Sequence, residues 1–178
     1  MHRFRALLLS GSLLIAAFAA APTTSFAHSL SGDPLIDRAV VAPRLNPIWP
    51  TVGVITTYFG EVGPLSPRGH SGLDVAAPQG TPIVAADEGE VLKAYWNDDG
   101  YGGLVIIGHP SGYETWYAHL ASFNVEKGQQ VKRGQKIGLM GSTGFSTGSH
   151  LHFEIREDGQ LCDPLEFLSE ARLQNANW

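Results

Sequence analysis

The stretch GSHLHFEIR, residues 148–156, sets two of the chain's seven histidines two positions apart. Side chains of a β-strand alternate between its faces, so residues i and i+2 project from the same side. Read as a strand, the segment has an apolar back of Leu151, Phe153 and Ile155 and a front of His150, His152 and Glu154. Two imidazoles about 7 Å apart, two strand rises, suit either of two arrangements. Both bind one metal, or one binds while the other does proton chemistry. An exposed polar strand face is the plainer alternative.

The same texture runs outward from this segment. GVITTYF (53–59), GLDVA (72–76), GEVLKAYW (89–96), GLVIIGH (103–109), YETWYAHL (113–120) and QKIGLMG (135–141) are short and rich in β-branched and aromatic residues. Between them stand Gly, Pro and Asn-Asp turns such as NDDGYGG (97–103), HPSGY (109–113) and STGFSTG (142–148). That pattern predicts an all-β, mainly antiparallel domain built of hairpins rather than βαβ units. VEKGQQVKRGQKIGLMG (125–141) has the turn-strand rhythm of a barrel-sandwich corner, with Gly at each bend. One short C-terminal helix is expected in DPLEFLSEARLQ (163–174), with Asp163 as N-cap and Pro164 at the first position.

The first residues carry an address. Arg3 and Arg5 precede the uncharged apolar run ALLLSGSLLIAAFAAA, which ends in PTTSFAHS. A basic start, a short apolar stretch and the small-x-small Ser25-Phe26-Ala27 are the parts of a secretory signal peptide, with cleavage expected after Ala27. An uncleaved anchor is the competitor; the run is short for a span and gives way to Pro and small polar residues. The expected organisation is a signal peptide (1–27), an extended lead-in (28–48), one domain (49–168) and a tail (169–178). Loss of Arg3 and Arg5 takes the net charge from -5 to -7, since that segment holds no Asp or Glu. An acidic, exported chain without a basic stripe points away from nucleic acid. Cys162 is the single cysteine, so no intramolecular disulfide forms.

Two further pieces carry chemistry. In RGHSGLDVAAP (68–78), His70 and Asp74 stand four apart, a helical spacing. Gly69, Gly72 and the strand-like LDVAAP speak instead for a loop at His70 and a strand at Asp74. In YETWYAHLASF (113–123), alternation groups His119 with Tyr117 and Thr115, against Trp116 and Ala118. Two imidazoles and one carboxylate are the protein ligands of a catalytic zinc site with a fourth position open, and two histidines are left for proton and charge work.

Together these segments resemble the M23 metallopeptidases, the lysostaphin/LytM-type peptidoglycan endopeptidases. WPTVGVITTYFG (49–60), HSGLD (70–74), GTPIVAADEGEV (80–91), YGGLVIIGHPSGYETWYAHL (101–120), VKRGQKIG (131–138), GSTGFSTGSHLHFEI (141–155) and DPLEFL (163–168) follow in that family's order. The resemblance implies His70, Asp74 and His152 as ligands of one zinc ion and His119 and His150 as the catalytic pair. It implies an antiparallel domain of the duplicated-hybrid, barrel-sandwich-like kind, with a groove floored by the sheet and walled by loops. The activity implied is hydrolysis of peptidoglycan stems or cross-links by a zinc-activated water, in the periplasm or cell envelope, by a monomer without a stable membrane span. Relatives that lose one of the five residues act as activators of cell-wall amidases; here all five are present. A sugar-phosphotransferase-type domain is a third reading, opposed by the signal peptide and by Asp74.

The remaining candidates are individually weak. Arg68 could meet a peptide carboxylate, Tyr58 and Tyr117 could donate to an oxyanion or pack, and Trp96 and Trp116 read as core. His109 reads as structural. Glu154 is either the acceptor that fixes a ring tautomer or part of a solvated face. The STGFSTG loop is expected to wall the groove. Asn46, Asp33 and Asp37 raise the question of a lead-in that covers the metal site and holds it latent.

Overall fold

The computed structural model describes residues 45–168. The signal peptide, most of the lead-in and the tail lie outside these residues, as do His2, His28, Asp33 and Asp37. Ten strands follow one another: β1 (Val54–Thr57), β2 (Leu73–Ala76), β3 (Pro82–Val84), β4 (Gly89–Asn97), β5 (Gly102–Gly108), β6 (Tyr113–Phe123), β7 (Gln130–Val131), β8 (Lys136–Met140), β9 (His150–Glu157) and β10 (Gln160–Cys162). They form an open sheet in the order β1-β2-β9-β6-β5-β4-β7, with β10 on β9 and β8 on both β3 and β6. Every pair is antiparallel.

Alternation decides the two faces. Across β2, β9 and β6 the register aligns Leu73 with Phe153 and Phe153 with Tyr117, all fully buried on the core side. One step along, Asp74 stands opposite His152 and His152 opposite Ala118 on the other face. The core side continues through Val75, Val105, Ile107, Leu120, Ile137, Leu151 and Ile155. Full burial of a side chain such as Phe153 contributes roughly 1.5–3 kcal/mol, so the apolar back of GSHLHFEIR holds its polar front in place.

The last described residues of the lead-in join this core. Leu45 is buried within it, the Asn46 N–H donates to Asp87 Oδ2 at 3.1 Å, and the Ile48 N–H donates to Ala86 O at 2.8 Å. Asp87 is also gripped by Arg133 Nε at 2.8 Å. Asn46 therefore sits by Asp87 and does not line the groove.

Of the expected C-terminal helix, the described part is a 3-10 turn, Pro164–Glu166. Its start matches expectation: the Asp163 carboxylate caps Leu165 N–H at 2.9 Å, and Pro164 needs no donor there. No helix among the described residues is long and apolar enough to cross a membrane.

Candidate metal centre

Three donor atoms converge from three parts of the chain. His70 lies in the loop before β2, where its N–H donates to Glu61 O and its carbonyl accepts from Gly60 N–H. Its Nδ1–H faces Tyr58 O at 3.2 Å, which leaves Nε2 to look inward. Asp74 and His152 come from paired positions of β2 and β9. His70 Nε2, Asp74 Oδ1 and His152 Nδ1 make a triangle with sides of 3.1, 2.8 and 3.0 Å. Tetrahedral zinc with bonds of about 2.0–2.1 Å sets its donors roughly 3.3 Å apart. Both the donor chemistry and the spacing fit one divalent metal ion held by these three residues.

Glu154 orders the centre from behind. It has no exposure, and its Oε1 accepts His152 Nε2–H at 3.0 Å and the Tyr101 hydroxyl at 2.9 Å. Arg156 donates to Oε2 through Nε at 2.9 Å and Nη2 at 2.6 Å, and its guanidinium lies 3.7 Å over the Trp116 ring. A carboxylate on the far nitrogen fixes which nitrogen a metal-binding imidazole turns to the metal. Burial raises the Glu154 carboxyl; the His152 hydrogen bond and charge, with Ser71 and Arg156, outweigh it and bring the carboxyl down to about 2. Asp74 behaves alike: burial opposes its charge, but His152 and His70 hold it well below the usual carboxylate range. Between these two carboxylates the His152 ring, despite burial, is lifted to about 9. A proton and a metal are thus alternatives on Nδ1. For Tyr101, burial and then Glu154 push the phenol up to about 12, which keeps it an O–H donor.

His119 and His150 flank the triangle. Their ring centroids are 4.6 Å apart, and that of His119 is 5.8 Å from His152. His119 Nδ1–H donates to Thr143 O at 2.7 Å, and His150 Nδ1–H donates to Gly148 O at 2.9 Å. Each keeps Nε2 as its second nitrogen, and that of His150 lies 3.8 Å from Asp74 Oδ1. Burial, then the neighbouring His150, hold the His119 imidazole down to about 4.

His119 does not follow the alternation read from the sequence. Tyr117 and Thr115 point into the core, and plain alternation would send His119 after them. Its backbone instead turns left-handed, φ 61°, where the β5–β6 register shifts between Tyr117 and Leu120. That local turn swings the ring to the face of His152. Trp96 also departs from its expected place: it is 57% exposed and lines the groove. Trp116 is partly buried under Arg156.

The five histidine and aspartate side chains lie in an open groove of ≈ 1230 Å³. Its walls are the 61–66 loop, the β4–β5 turn and the 143–149 loop, the last as expected for STGFSTG. Arg68 is exposed and off the lining. Tyr58 contributes its carbonyl to His70, while Tyr117 is bonded in the core to Ala86 N–H and Thr115. Both His109 nitrogens are taken, by Glu88 O and Thr115 Oγ1, each at 2.7 Å, and the residue is not part of the groove lining. The sequence reading passed over Tyr101, Thr143 and Arg156. Arg156 carried a signal, being two residues beyond Glu154 on one strand face; Tyr101 and Thr143 act across turns that no periodicity encodes.

A family model for peptidase family M23 matches residues 68–164, which contain every residue of this centre. The chain belongs to peptidase family M23. Among M23 relatives, the DD-carboxypeptidase/endopeptidase Mpg of Neisseria meningitidis is 49% identical over 98 residues, covering 55% of this chain and 22% of Mpg. The murein hydrolase activator NlpD of Salmonella dublin is 39% identical over 150 residues, covering 84% of this chain and 38% of NlpD. The chain thus spans less than half the length of either relative. A zinc-containing peptidase from Vibrio cholerae superposes with a TM-score of 0.59 at 39% identity, over 66% of this chain and 37% of that one. The M23 chain described here shares the fold of that enzyme, and the family is one of metallopeptidases acting in peptidoglycan metabolism.

Proposed function

We propose that this chain is an exported zinc metalloendopeptidase that hydrolyses stem or cross-link peptides of bacterial peptidoglycan. The observation that carries the reading is one constellation: three donor atoms about 3 Å apart, beside two imidazoles whose Nδ1–H groups are tied to backbone carbonyls, all within an open groove. The Vibrio cholerae neighbour supports zinc, Mpg supports the substrate class, and the pattern of residues 1–27 supports the periplasm or cell envelope.

Zinc held by His70 Nε2, Asp74 Oδ1 and His152 Nδ1 would supply a Lewis acid for the scissile carbonyl and lower the pKa of the attacking water towards about 7. His119, with Nδ1–H committed to Thr143 O, accepts the water's proton at Nε2 and passes it to the leaving amine. His150, anchored on Gly148 O, keeps its Nε2 beside Asp74 in the groove, where it helps orient the attacking water. Help of this kind is worth about 10²–10⁴-fold. Asp74→Ala and His152→Ala are expected to lose zinc on dialysis, whereas His150→Ala keeps it and loses about 10²–10⁴-fold in turnover; metal analysis beside a peptidoglycan assay checks the division. A zinc-free His150→Ala protein would contradict it.

The likeness to NlpD, named a murein hydrolase activator, favours one second reading. In it the groove engages a cell-wall amidase and raises that enzyme's activity without cutting peptides itself. An amidase assay with and without this chain separates the two.

A further inference from the structure

We propose that Tyr101 is a positioning residue that ties the metal-holding His152 to the reacting His119, and that its hydroxyl sets how tightly the metal is held. The proposal rests on the reading of His70, Asp74 and His152 as a metal centre.

Tyr101 sits in the turn between β4 and β5, and its three polar groups go three ways. Its N–H donates to Asn97 Oδ1 at 3.2 Å, which fixes the turn. Its carbonyl accepts from the His119 N–H at 2.8 Å, at the residue forced into the left-handed region. Its hydroxyl donates to Glu154 Oε1 at 2.9 Å, the same oxygen that holds His152 Nε2–H, and accepts from Arg156 Nη2 at 3.3 Å. The ring packs between Trp116, with centroids 5.5 Å apart, and His152, at 6.0 Å. One residue therefore fixes the backbone of the reacting histidine and the far side of the metal-holding one.

The hydroxyl works through Glu154. That carboxylate is fully buried, so its rotation is set by its partners: Tyr101 and His152 on Oε1, Arg156 on Oε2. Without the phenol, Oε1 loses one of its two donors, and the imidazole loses part of its fixed aim at the metal. Outer partners of this type typically change metal affinity by about 10–100-fold. A tyrosine that merely filled space would act through its ring, which Tyr101→Phe preserves along with the carbonyl bond to His119.

The test is a Co²⁺ titration, read by the visible absorption of the bound ion, on the full chain, Tyr101→Phe, Glu154→Gln and the double variant. Tyr101→Phe is expected to weaken Co²⁺ binding about 10-fold and to shift the absorption bands. In the Glu154→Gln background the same change is expected to add less than about twofold, because both act on one atom. Unchanged affinity and spectrum in Tyr101→Phe would overturn the proposal while leaving the metal centre standing. Equal losses in both backgrounds would overturn the route through Glu154. A wild-type chain that binds no Co²⁺ would overturn the metal reading and the proposal together.

Discussion

A neutral imidazole donates from one nitrogen and accepts at the other, so the partner of one fixes the use of the second. His70, His119 and His150 all spend Nδ1–H on a backbone carbonyl, those of Tyr58, Thr143 and Gly148. His152 is turned the other way, with Nε2–H on Glu154 and Nδ1 towards Asp74 and His70. His109 shows what a histidine outside the centre looks like, both nitrogens being occupied within a chain that runs on through Thr115 and Tyr117 to Ala86 N–H. Burial is the main reason its pKa falls below the ordinary 6.5, against the opposing pull of Glu88 O and Asp87. Below 6.5 the unfolded chain then binds more protons at this ring than the folded one, so stability from neutral His109 is complete above about pH 6.5 and is lost as pH falls. Denaturant midpoints followed from about pH 8 to about pH 5 are expected to drop more steeply for wild type than for His109→Gln. Parallel curves would remove His109 from the acid sensitivity of the fold.

At the scale of elements, β9 was legible because strand alternation is a two-residue rule: Leu151, Phe153 and Ile155 are buried, and His152 and Glu154 share the other face. The loop-then-strand reading of His70 and Asp74 holds for the same local reason, since Gly and Pro bound a four-residue strand. β6 was misread because its alternation breaks at His119, where a left-handed, non-glycine residue costs on the order of 1–3 kcal/mol. That cost is met by long-range partners, Tyr101 O and Thr143 O, from 18 and 24 residues away in the chain. Thr143 reinforces the join: its hydroxyl accepts from Gly103 N–H at 3.0 Å and donates to Leu120 O at 2.9 Å. Gly102, at φ 64°, completes it, because a Cβ there would strike the Thr143 hydroxyl. Thr143→Val leaves the Gly103 N–H without its acceptor and is expected to cost about 1–3 kcal/mol in denaturant unfolding. Turnover should fall with it, since the Thr143 carbonyl carries the His119 ring. Wild-type stability and turnover in this variant would show that the join is not needed.

For the molecule as a whole, the sheet divides the labour between its faces: one is a continuous apolar core, the other the floor of the groove. The fold class could be read from sequence because it follows from periodicity and turn residues, whereas the choice of His70, Asp74 and His152 as proposed metal donors came from the resemblance to the M23 family. The STGFSTG loop was legible as a wall, but the join that completes that wall was not. It depends on the β4–β5 turn meeting the 143–149 loop, where Phe145 N–H donates to Gly100 O at 2.7 Å, and that contact joins segments with no common pattern. It also brings Trp96 and Phe145, 57% and 65% exposed, to the edge of the groove. The most direct measurement is a digest of whole peptidoglycan by the purified protein, with and without a chelator, its products identified by mass spectrometry. Zinc-dependent peptide cleavage is the expected result, and the fragments would name the scissile bond. Intact peptidoglycan from several wall types, with zinc bound to the protein, would contradict the peptidase assignment.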